Sequence, residues 1–391
     1  MRVGVRKWRG ARAGSVVGLG AAAMALVLSA GTATAAPNEG SASGSLGSGS
    51  LGSLGSLGSL GSLTGSSGAG SVSSGSSIPE SLQEDPGPPP AVRDDITTAA
   101  IVGEKPLSNQ AVQLTIASPA LRREVTVQVL LPADRSAPRP TLYMLDGVSA
   151  RNNGSGWMSA GLGDAPGFFA DKDVNVVLIN GGRASLYTDW DEIDPKLGLN
   201  RWETYLTQEL PGLIDAKLKT NGVNAIAGNS MGAQSAVMLA HRHPELYRGV
   251  AAFSGCYSTS DPLGRLVLQT TVTSQGGDPT NMWSDPDGPE WLSHDSVRNA
   301  EQLRGKPIYL SVSNGLPGEF EEGSDDARRL YLGGAIEAAT NVCTRIFQAR
   351  LEQLDIPVTV DYAGAGVHAW DYWRLQLPKS WPTLAKALGL S

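Results

Sequence analysis

The chain has 391 residues, 41% of them hydrophobic and 18% charged, and its formal net charge at pH 7 is −7. Proteins that bind nucleic acid usually have a basic surface, so the acidic net charge of this chain argues against that class. The two cysteines and four histidines do not occur with metal-ligand spacing, and no glycine-rich phosphate loop follows a predicted strand. We therefore expect neither a metal nor a cofactor.

Residues 1–36 have the composition of a secretory signal peptide. Five basic residues lie within the first 12 positions, an apolar stretch follows at 16–28, and small residues occupy 33–36. Signal peptides contain these regions in this order. The apolar stretch is short for a bilayer span, and an uncleaved membrane anchor is the alternative. Cleavage removes five positive charges, so we expect a secreted or cell-envelope protein with a net charge of about −12 and no transmembrane span.

Residues 37–95 are of low complexity. Serine, leucine and glycine repeat over 45–63, and prolines cluster at 86–90. Gly-Ser chains cannot bury enough surface to offset the entropy of ordering them, which predicts a flexible linker. The periodic leucines allow a second interpretation, contact with a lipid or partner surface.

Residues 96–391 are numerous enough to form one large core. Apolar runs, several rich in β-branched residues, recur there between helix-length stretches. These runs lie at 125–131, 141–145, 174–179, 225–227, 249–253, 308–312 and 358–362. Near-continuous apolar strands that alternate with helices predict a mostly parallel sheet with helices on both faces. No helix separates the first two runs, which indicates an antiparallel start. The pattern predicts an α/β-hydrolase fold.

A G-N-S-M-G sequence at 228–232 lies between a predicted strand and a predicted helix. G-x-S-x-G in this context is the nucleophile elbow, in which small flanking residues allow a turn that exposes the serine Oγ. The helix that follows directs its N-terminal amides at charge developing beside that oxygen. Ser230 is therefore the candidate nucleophile, and a serine that caps an ordinary helix is the alternative.

A serine nucleophile requires a base, and the chain offers four histidines. His241 and His243 lie near the C-terminal end of the helix after Ser230. We expect their side chains to be solvated there and to interact favourably with the negative end of the helix dipole. His294 precedes the last strands and would break the order serine, acid, histidine. His368 follows the last predicted strand in a glycine-containing loop. It is the candidate base, with a structural histidine as the alternative.

The sequence does not single out the acidic residue that would pair with His368. Six carboxylates lie between the strand at 308–312 and His368; they are Glu319, Glu321, Glu322, Asp325, Asp326 and Glu337. Clustered loop acids are typical of a solvated surface. Glu337 differs because its helix-like surroundings are mostly small and apolar, where a carboxylate needs a partner such as an imidazole N–H. Spacing alone leaves the choice between Glu337 and the loop group open.

The two cysteines occur in a chain that is expected to be exported. Cys256 follows the strand after the elbow, and Cys343 lies six residues past Glu337. An even cysteine count in an oxidising compartment favours a disulfide, with two buried thiols as the alternative. Such a bond would fix the helix of Glu337 to the sheet.

Several longer strings resemble one family. They are YMLDG at 143–147, GGRASLYTDW at 181–190, WETYLTQELP at 202–211, GNSM at 228–231, MW at 282–283 and HAWDYW at 368–373. From about residue 111 onward the chain resembles the antigen 85 family, the secreted mycolyltransferases of mycolic-acid bacteria, and especially their corynebacterial-type relatives. The resemblance implies an α/β-hydrolase esterase that acts on sugar esters.

The resemblance also implies roles for individual residues. The nucleophile falls on Ser230, the base on His368 and the acid on Glu337. The implied oxyanion donors are the amides of Met231 and Val148, and the implied substrate-binding residues are Asp146, Trp370, Arg151 and Trp283. The family commonly has arginine two residues after the Asp-Gly glycine, whereas this chain has Ser149. This departure falls in the implied sugar subsite; Asn229 and Gly232 in the elbow also differ from the mycobacterial members, which have Leu and Ala there, but they keep the backbone small.

The implied reaction is a ping-pong transfer of mycoloyl groups from trehalose monomycolate to a second trehalose monomycolate or to cell-wall arabinogalactan. We expect a monomeric enzyme. Two other functions are compatible with the sequence. One is a secreted serine carboxylesterase that uses water as the acceptor, and the other is a non-catalytic wall- or matrix-binding relative.

Overall fold

The structure, a computed structural model, describes residues 88–285 and 287–390. The predicted signal peptide at 1–36 and the Ser-Leu-Gly repeat lie outside these residues. The end of the predicted linker lies against the folded chain, because the Arg93 amide donates to the Arg122 carbonyl at 2.6 Å. None of the helices in the described residues combines the length and hydropathy that crossing a bilayer requires.

The described residues contain a single nine-stranded sheet in the order β1-β2-β3-β5-β4-β6-β7-β8-β9. Its strands are β1 (Ala100–Ser108), β2 (Ala111–Ser118), β3 (Arg123–Leu130), β4 (Thr141–Leu145), β5 (Asn175–Ile179), β6 (Asn224–Asn229), β7 (Tyr247–Phe253), β8 (Ile308–Val312) and β9 (Thr359–Tyr362). The pairs β1·β2, β2·β3 and β3·β5 are antiparallel. The pairs from β5 through β4 to β9 are parallel.

The mostly parallel sheet of an α/β-hydrolase is confirmed, and the seven predicted runs coincide with β3 to β9. The antiparallel start is also present, but β5 lies between β3 and β4 in the sheet. The hairpin of β1 and β2 was not predicted. All nine residues of β1 are exposed or half-buried, and its sequence contains charged residues and a proline. A strand at the edge of a sheet does not need a continuous apolar run.

Helices cover both faces of the sheet. They are α1 (Ala165–Phe169), α2 (Trp202–Thr204), α3 (Leu210–Leu218), α4 (Met231–Arg242), α5 (Pro262–Thr273), α6 (Pro289–Ser293), α7 (Gly334–Gln353) and α8 (Trp370–Ala387). A π-helical turn, Tyr205–Glu209, joins α2 to α3, and another, Arg328–Gly333, precedes α7. Short 3-10 turns lie at Gly156–Met158, Pro279–Asn281, Ala300–Leu303 and Glu319–Glu321.

The core consists of two apolar clusters, one on each face. In β4, Tyr143 and Leu145 belong to the cluster that contains α4, whereas Leu142 and Met144 belong to the cluster that contains α8. Because both faces of the strand are covered, all five of its residues are buried. This explains the continuous apolar runs in the sequence.

Candidate active site

Ser230 lies in a sharp turn between the last residue of β6 and the first residue of α4. Its φ is +56°, which is uncommon for a residue with a side chain. A Cβ on Gly228 would lie 2.3 Å from the Gly232 carbonyl oxygen, and one on Gly232 would lie 2.6 Å from that of Asp146. Both positions therefore require glycine, as the nucleophile elbow predicts.

His368 reaches Ser230 from the loop between β9 and α8. Its Nε2 lies 2.7 Å from the Ser230 Oγ. The His368 amide donates to the Gly333 carbonyl at 3.1 Å. The imidazole ring packs edge-to-face against Trp373 with ring centroids 4.9 Å apart, so backbone and ring are both held.

Glu337, in the first turn of α7, completes the group. Its Oε2 lies 2.7 Å from His368 Nδ1, and its Oε1 accepts hydrogen bonds from the Ser313 amide at 2.7 Å and the Ser254 hydroxyl at 2.8 Å. A buried carboxylate is an acceptor, so Nδ1 of His368 carries the proton and Nε2 is free to accept from Ser230.

The structure thus places Glu337, and none of the loop acids, against His368. Four of the loop acids are exposed: Glu319, Glu322, Asp325 and Asp326. Glu321 is buried, but it accepts hydrogen bonds from Arg329 and Tyr372. Its carboxylate therefore holds the loop before α7 to the start of α8.

The predicted disulfide between Cys256 and Cys343 is present. It joins the segment after β7 to α7. Cys256 lies two residues beyond Ser254, and Cys343 lies six residues beyond Glu337. The bond therefore ties the helix that carries the acid to the segment that carries one of its hydroxyl donors.

Met231 and Val148, whose amides are predicted to bind an oxyanion, belong to two segments that approach Ser230. Met231 is the first residue of α4, so its amide has no carbonyl partner within the helix. Val148 follows Gly147, where an added Cβ would lie 3.2 Å from the Ser230 Cβ. The turn formed by residues 146–148 and the start of α4 therefore meet at the nucleophile.

This arrangement agrees with comparisons to known proteins. The Esterase family model matches residues 118–384. The diacylglycerol acyltransferase/mycolyltransferase Ag85A of Mycobacterium tuberculosis is 30% identical over 288 residues, which cover 71% of this chain and 81% of that protein. Ag85B of Mycobacterium leprae is 28% identical over 297 residues, which cover 70% of this chain and 83% of that protein. This chain belongs to the antigen 85 family of esterases.

Two solved structures share the fold of this antigen 85 relative. Mycobacterium tuberculosis MPT51 (FbpC1) matches with a TM-score of 0.60 and 23% identity, covering 73% of this chain and 99% of that one. An S-formylglutathione hydrolase from Agrobacterium tumefaciens matches with a TM-score of 0.54 and 18% identity, covering 74% and 100%. At these identities the likeness concerns the fold.

Asp146 and Trp370, which the antigen 85 resemblance assigns to the sugar, both border the turn at Gly156. Asp146 is 4% exposed, and its carboxylate accepts hydrogen bonds from the Ser155 hydroxyl and the Gly156 amide, each at 2.8 Å. Burial raises the pKa of Asp146 to about 6, against the opposing effect of these hydrogen bonds. The half-buried Trp370 ring covers Gly156, where a Cβ would lie 2.3 Å from its Cζ2.

The other two residues assigned to the substrate, Arg151 and Trp283, differ in position. Arg151 is exposed on the segment that follows Gly147, as is Ser149, where the family commonly has arginine. Trp283 is 1% exposed, and its ring stacks on His294 with centroids 4.1 Å apart. The structure places Trp283 in the core, with no exposed face for a ligand.

The prediction of solvated histidines at the end of α4 is wrong for His241, which is 3% exposed. The helix packs against the sheet and against the turn Ala300–Leu303, so its far end is covered. Burial lowers the pKa of His241 to about 3, and the neutral ring gains nothing from the helix dipole. His243 is half-buried, with Nε2 at 2.7 Å from Glu203. His294 lies outside the Ser230 group, as predicted.

Two hydroxyls at this site were missed by the sequence reasoning. Ser254 donates to Glu337 and accepts from the Trp373 indole at 3.1 Å. Ser155 donates to Asp146. Ser254 could have been found because it directly follows the strand β7. Ser155 lies in a loop, and no sequence pattern indicates its role. Within residues 88–285 and 287–390, no cluster of three or more His, Cys, Asp or Glu is placed to hold a metal ion.

Proposed function

We propose that the protein transfers mycoloyl groups from trehalose monomycolate to a second trehalose monomycolate or to cell-wall arabinogalactan, through an acyl-enzyme on Ser230. The observation that carries this proposal is the continuous hydrogen-bond chain from Glu337 through His368 to Ser230. Membership of the antigen 85 family supports the substrate class, because the relatives are named diacylglycerol acyltransferase/mycolyltransferase. The uninterrupted hydrogen bonds from Glu337 through His368 to Ser230 also favour catalysis over a purely binding role.

In the first half of the reaction, His368 Nε2 accepts the Ser230 proton as Oγ attacks the carbonyl carbon of the ester. The carbonyl oxygen becomes an oxyanion that accepts hydrogen bonds from the amides of Met231 and Val148. Removing one such donor costs about 3 to 4 kcal/mol of transition-state stabilisation in other enzymes. The tetrahedral intermediate then collapses, and His368 returns the proton to the departing trehalose oxygen.

In the second half, an acceptor hydroxyl takes the place of the departed trehalose. His368 accepts the proton of the acceptor hydroxyl while the acceptor oxygen attacks the acyl carbon. His368 then donates this proton to the Ser230 Oγ, which leaves as the free hydroxyl. Water in the same position would give hydrolysis. The ratio of transfer to hydrolysis therefore depends on how well the site excludes water after acylation.

Glu337 supports both halves because it stabilises the imidazolium that forms on His368. With a 1% exposed side chain, the carboxylate interacts with the ring in surroundings that screen charge poorly. Its hydrogen bonds from Ser313 and Ser254 keep it oriented towards Nδ1. We propose that its role is to fix the tautomer and charge of His368, with no proton transfer of its own.

The sugar moiety would be held beside Ser230 by the segment that follows β4 and by the start of α8. Trp370 offers a half-buried aromatic ring, a surface on which sugars commonly pack, and Arg151 offers an exposed guanidinium. Asp146 would contribute mainly by shaping the turn, because its carboxylate is already engaged by Ser155 and Gly156. The predicted signal peptide supports action at the cell envelope.

The test is to incubate the purified mature protein with trehalose monomycolate and to analyse the lipid products by mass spectrometry. Trehalose dimycolate is the expected product. Free mycolate alone would instead identify a hydrolase. The matched control is Ser230→Ala, which removes one oxygen and should abolish both products while it leaves the thermal unfolding curve unchanged. Near wild-type turnover by that variant would contradict the assignment of the nucleophile.

A further inference from the structure

The loop at 181–188, which follows β5, has an unusual backbone. Ala184, Leu186 and Tyr187 have φ angles of +51°, +54° and +50°. Residues with side chains rarely adopt this left-handed conformation, and each instance costs free energy that the surrounding structure must offset. Such strain is concentrated at functional sites. The contacts of this loop connect it to both sides of the proposed oxyanion site.

On one side the loop holds the 146–148 turn. The Tyr187 hydroxyl accepts a hydrogen bond from the Asp146 amide and donates one to the Gly181 carbonyl, both at 3.2 Å. Leu145 is the last residue of β4 that pairs with β6. The amide of the next residue, Asp146, therefore has the Tyr187 hydroxyl as its acceptor in place of a strand carbonyl. In addition, the Ala184 amide donates to the Val148 carbonyl at 3.1 Å.

On the other side the loop is attached to α4, one turn after Met231. The Ser235 hydroxyl donates to the Leu186 carbonyl at 2.6 Å. The same oxygen lies 2.9 Å from the Met231 carbonyl, which belongs to the preceding helical turn. Leu186 and Tyr187 are adjacent, so one short segment contacts both structures that carry the proposed oxyanion donors.

We propose that Tyr187 is a positioning residue that sets the distance between the Val148 and Met231 amides through its hydrogen bond to the Asp146 amide. The inference rests on the proposed function, which assigns these amides to the oxyanion. Two donors stabilise an oxyanion only when both lie about 3 Å from the place where it forms. A relaxed 146–148 turn would lengthen one of these contacts in the transition state and leave ground-state binding almost unchanged.

The Tyr187 side chain is suited to this role because it is enclosed on several sides. It is fully buried, and its ring packs edge-on against Trp202 with centroids 5.8 Å apart. A Cβ on Gly182 would lie 2.5 Å from its Cε1, so the ring fills the space over that glycine. Burial raises its pKa well above the usual value, which keeps the hydroxyl proton available for Gly181.

The chain offers a matched control in Tyr205. This tyrosine is also fully buried and packs edge-on against the same Trp202, with centroids 5.7 Å apart. Its hydroxyl, however, has no hydrogen-bond partner among the described residues. Removing the two hydroxyls therefore makes the same chemical change in similar surroundings, with a hydrogen bond to the turn lost in only one case.

The experiment compares Tyr187→Phe with Tyr205→Phe in the mature protein. For hydrolysis of p-nitrophenyl butyrate we expect Tyr187→Phe to lower kcat about tenfold with KM within about twofold of wild type. Binding of a trifluoromethyl ketone, which adds to a serine and places an oxyanion in the same position, should weaken by a similar factor. Tyr205→Phe should leave all three quantities unchanged.

The inference is overturned if Tyr187→Phe retains wild-type kcat and ketone affinity, or if both variants lower them equally. If Tyr187→Phe does not fold, Ser235→Ala tests the same loop from the side of α4 and should also lower kcat without raising KM; unchanged kcat would again overturn the inference. Wild-type protein that reacts with neither reagent would instead contradict the proposed function, so the two failures can be told apart.

Discussion

Glu337 and His368 are joined by a 2.7 Å hydrogen bond between Oε2 and Nδ1, although one lies at the start of α7 and the other follows β9. The remaining oxygen of Glu337 accepts from a backbone amide and a serine hydroxyl, so the carboxylate has a partner on each side. This set of contacts holds a charge that would otherwise be costly to bury.

Glu337→Gln should therefore lower kcat by about three to four orders of magnitude, because an amide nitrogen facing Nδ1 favours the wrong tautomer of His368. Steady-state hydrolysis of p-nitrophenyl butyrate provides the measurement, with circular dichroism to check the fold. Glu319→Gln is the matched control, since it makes the same change on an exposed loop acid. A kcat within about tenfold of wild type would remove Glu337 from the proposed triad.

The difference between Ser230 and Glu337 shows what the sequence could predict. The elbow is a local structure, and the contacts that require Gly228 and Gly232 arise within a few residues of Ser230 or on the neighbouring strand. His368 could be found by elimination among four histidines. The acid could not be chosen from spacing, because its partner is reached only after β8, α7 and β9 pack together.

The sequence also could not predict which residues are buried at the end of a helix. His241 occupies a position that is usually solvated, but the helix α4 is central and is covered along its whole length. Likewise Tyr187 belongs to a loop that begins with two left-handed glycines, but nothing in the sequence indicates that Ala184, Leu186 and Tyr187 are left-handed as well. Both features depend on contacts with distant segments.

Replacing both Cys256 and Cys343 by alanine should lower the free energy of unfolding by about 2 to 5 kcal/mol, because the bond closes a long loop. For a domain of this size we expect the midpoint of thermal unfolding to fall by about 4 to 10 °C. Activity at low temperature should change by less than about threefold, since Ser313 and Ser254 hold Glu337 without the disulfide.

Differential scanning calorimetry gives the first quantity and initial rates give the second. The control is wild-type protein unfolded and measured in the presence of reductant, which should reproduce the lower midpoint. A double variant with the wild-type midpoint would mean that the bond contributes nothing to stability.

Ser149→Arg should improve binding of the sugar. The side chain is exposed on the segment after Gly147, next to the nucleophile, and an arginine there would add donors for sugar hydroxyls. We expect KM for trehalose monomycolate to fall about threefold to tenfold, with kcat within about twofold. Ser136→Arg is the control, because it places the same charge on an exposed serine that precedes β4, at the opposite end of that strand from Ser149. Equal effects of both variants would indicate a general charge effect.

The pH dependence of stability should reveal the buried carboxyl of Asp146. Burial raises its pKa from 3.8 in the unfolded chain to about 6 in the native protein. Between these values the native protein retains a proton that the unfolded chain has released. The contribution of this group to stability is therefore full below pH 4, declines as the pH rises and is lost above pH 6.

Asp146→Asn does not titrate, so it does not undergo this loss. The variant loses hydrogen bonds with Ser155 or Gly156, which lowers its free energy of unfolding by an amount that does not depend on pH. Between pH 4 and pH 6, however, the difference in free energy of unfolding between variant and wild type should change in favour of the variant by about 3 kcal/mol. Denaturant unfolding of both proteins at several pH values measures it. A difference that stays flat would mean that Asp146 keeps an ordinary pKa, and that water or Arg151 compensates its charge more effectively than the burial of its carboxyl suggests.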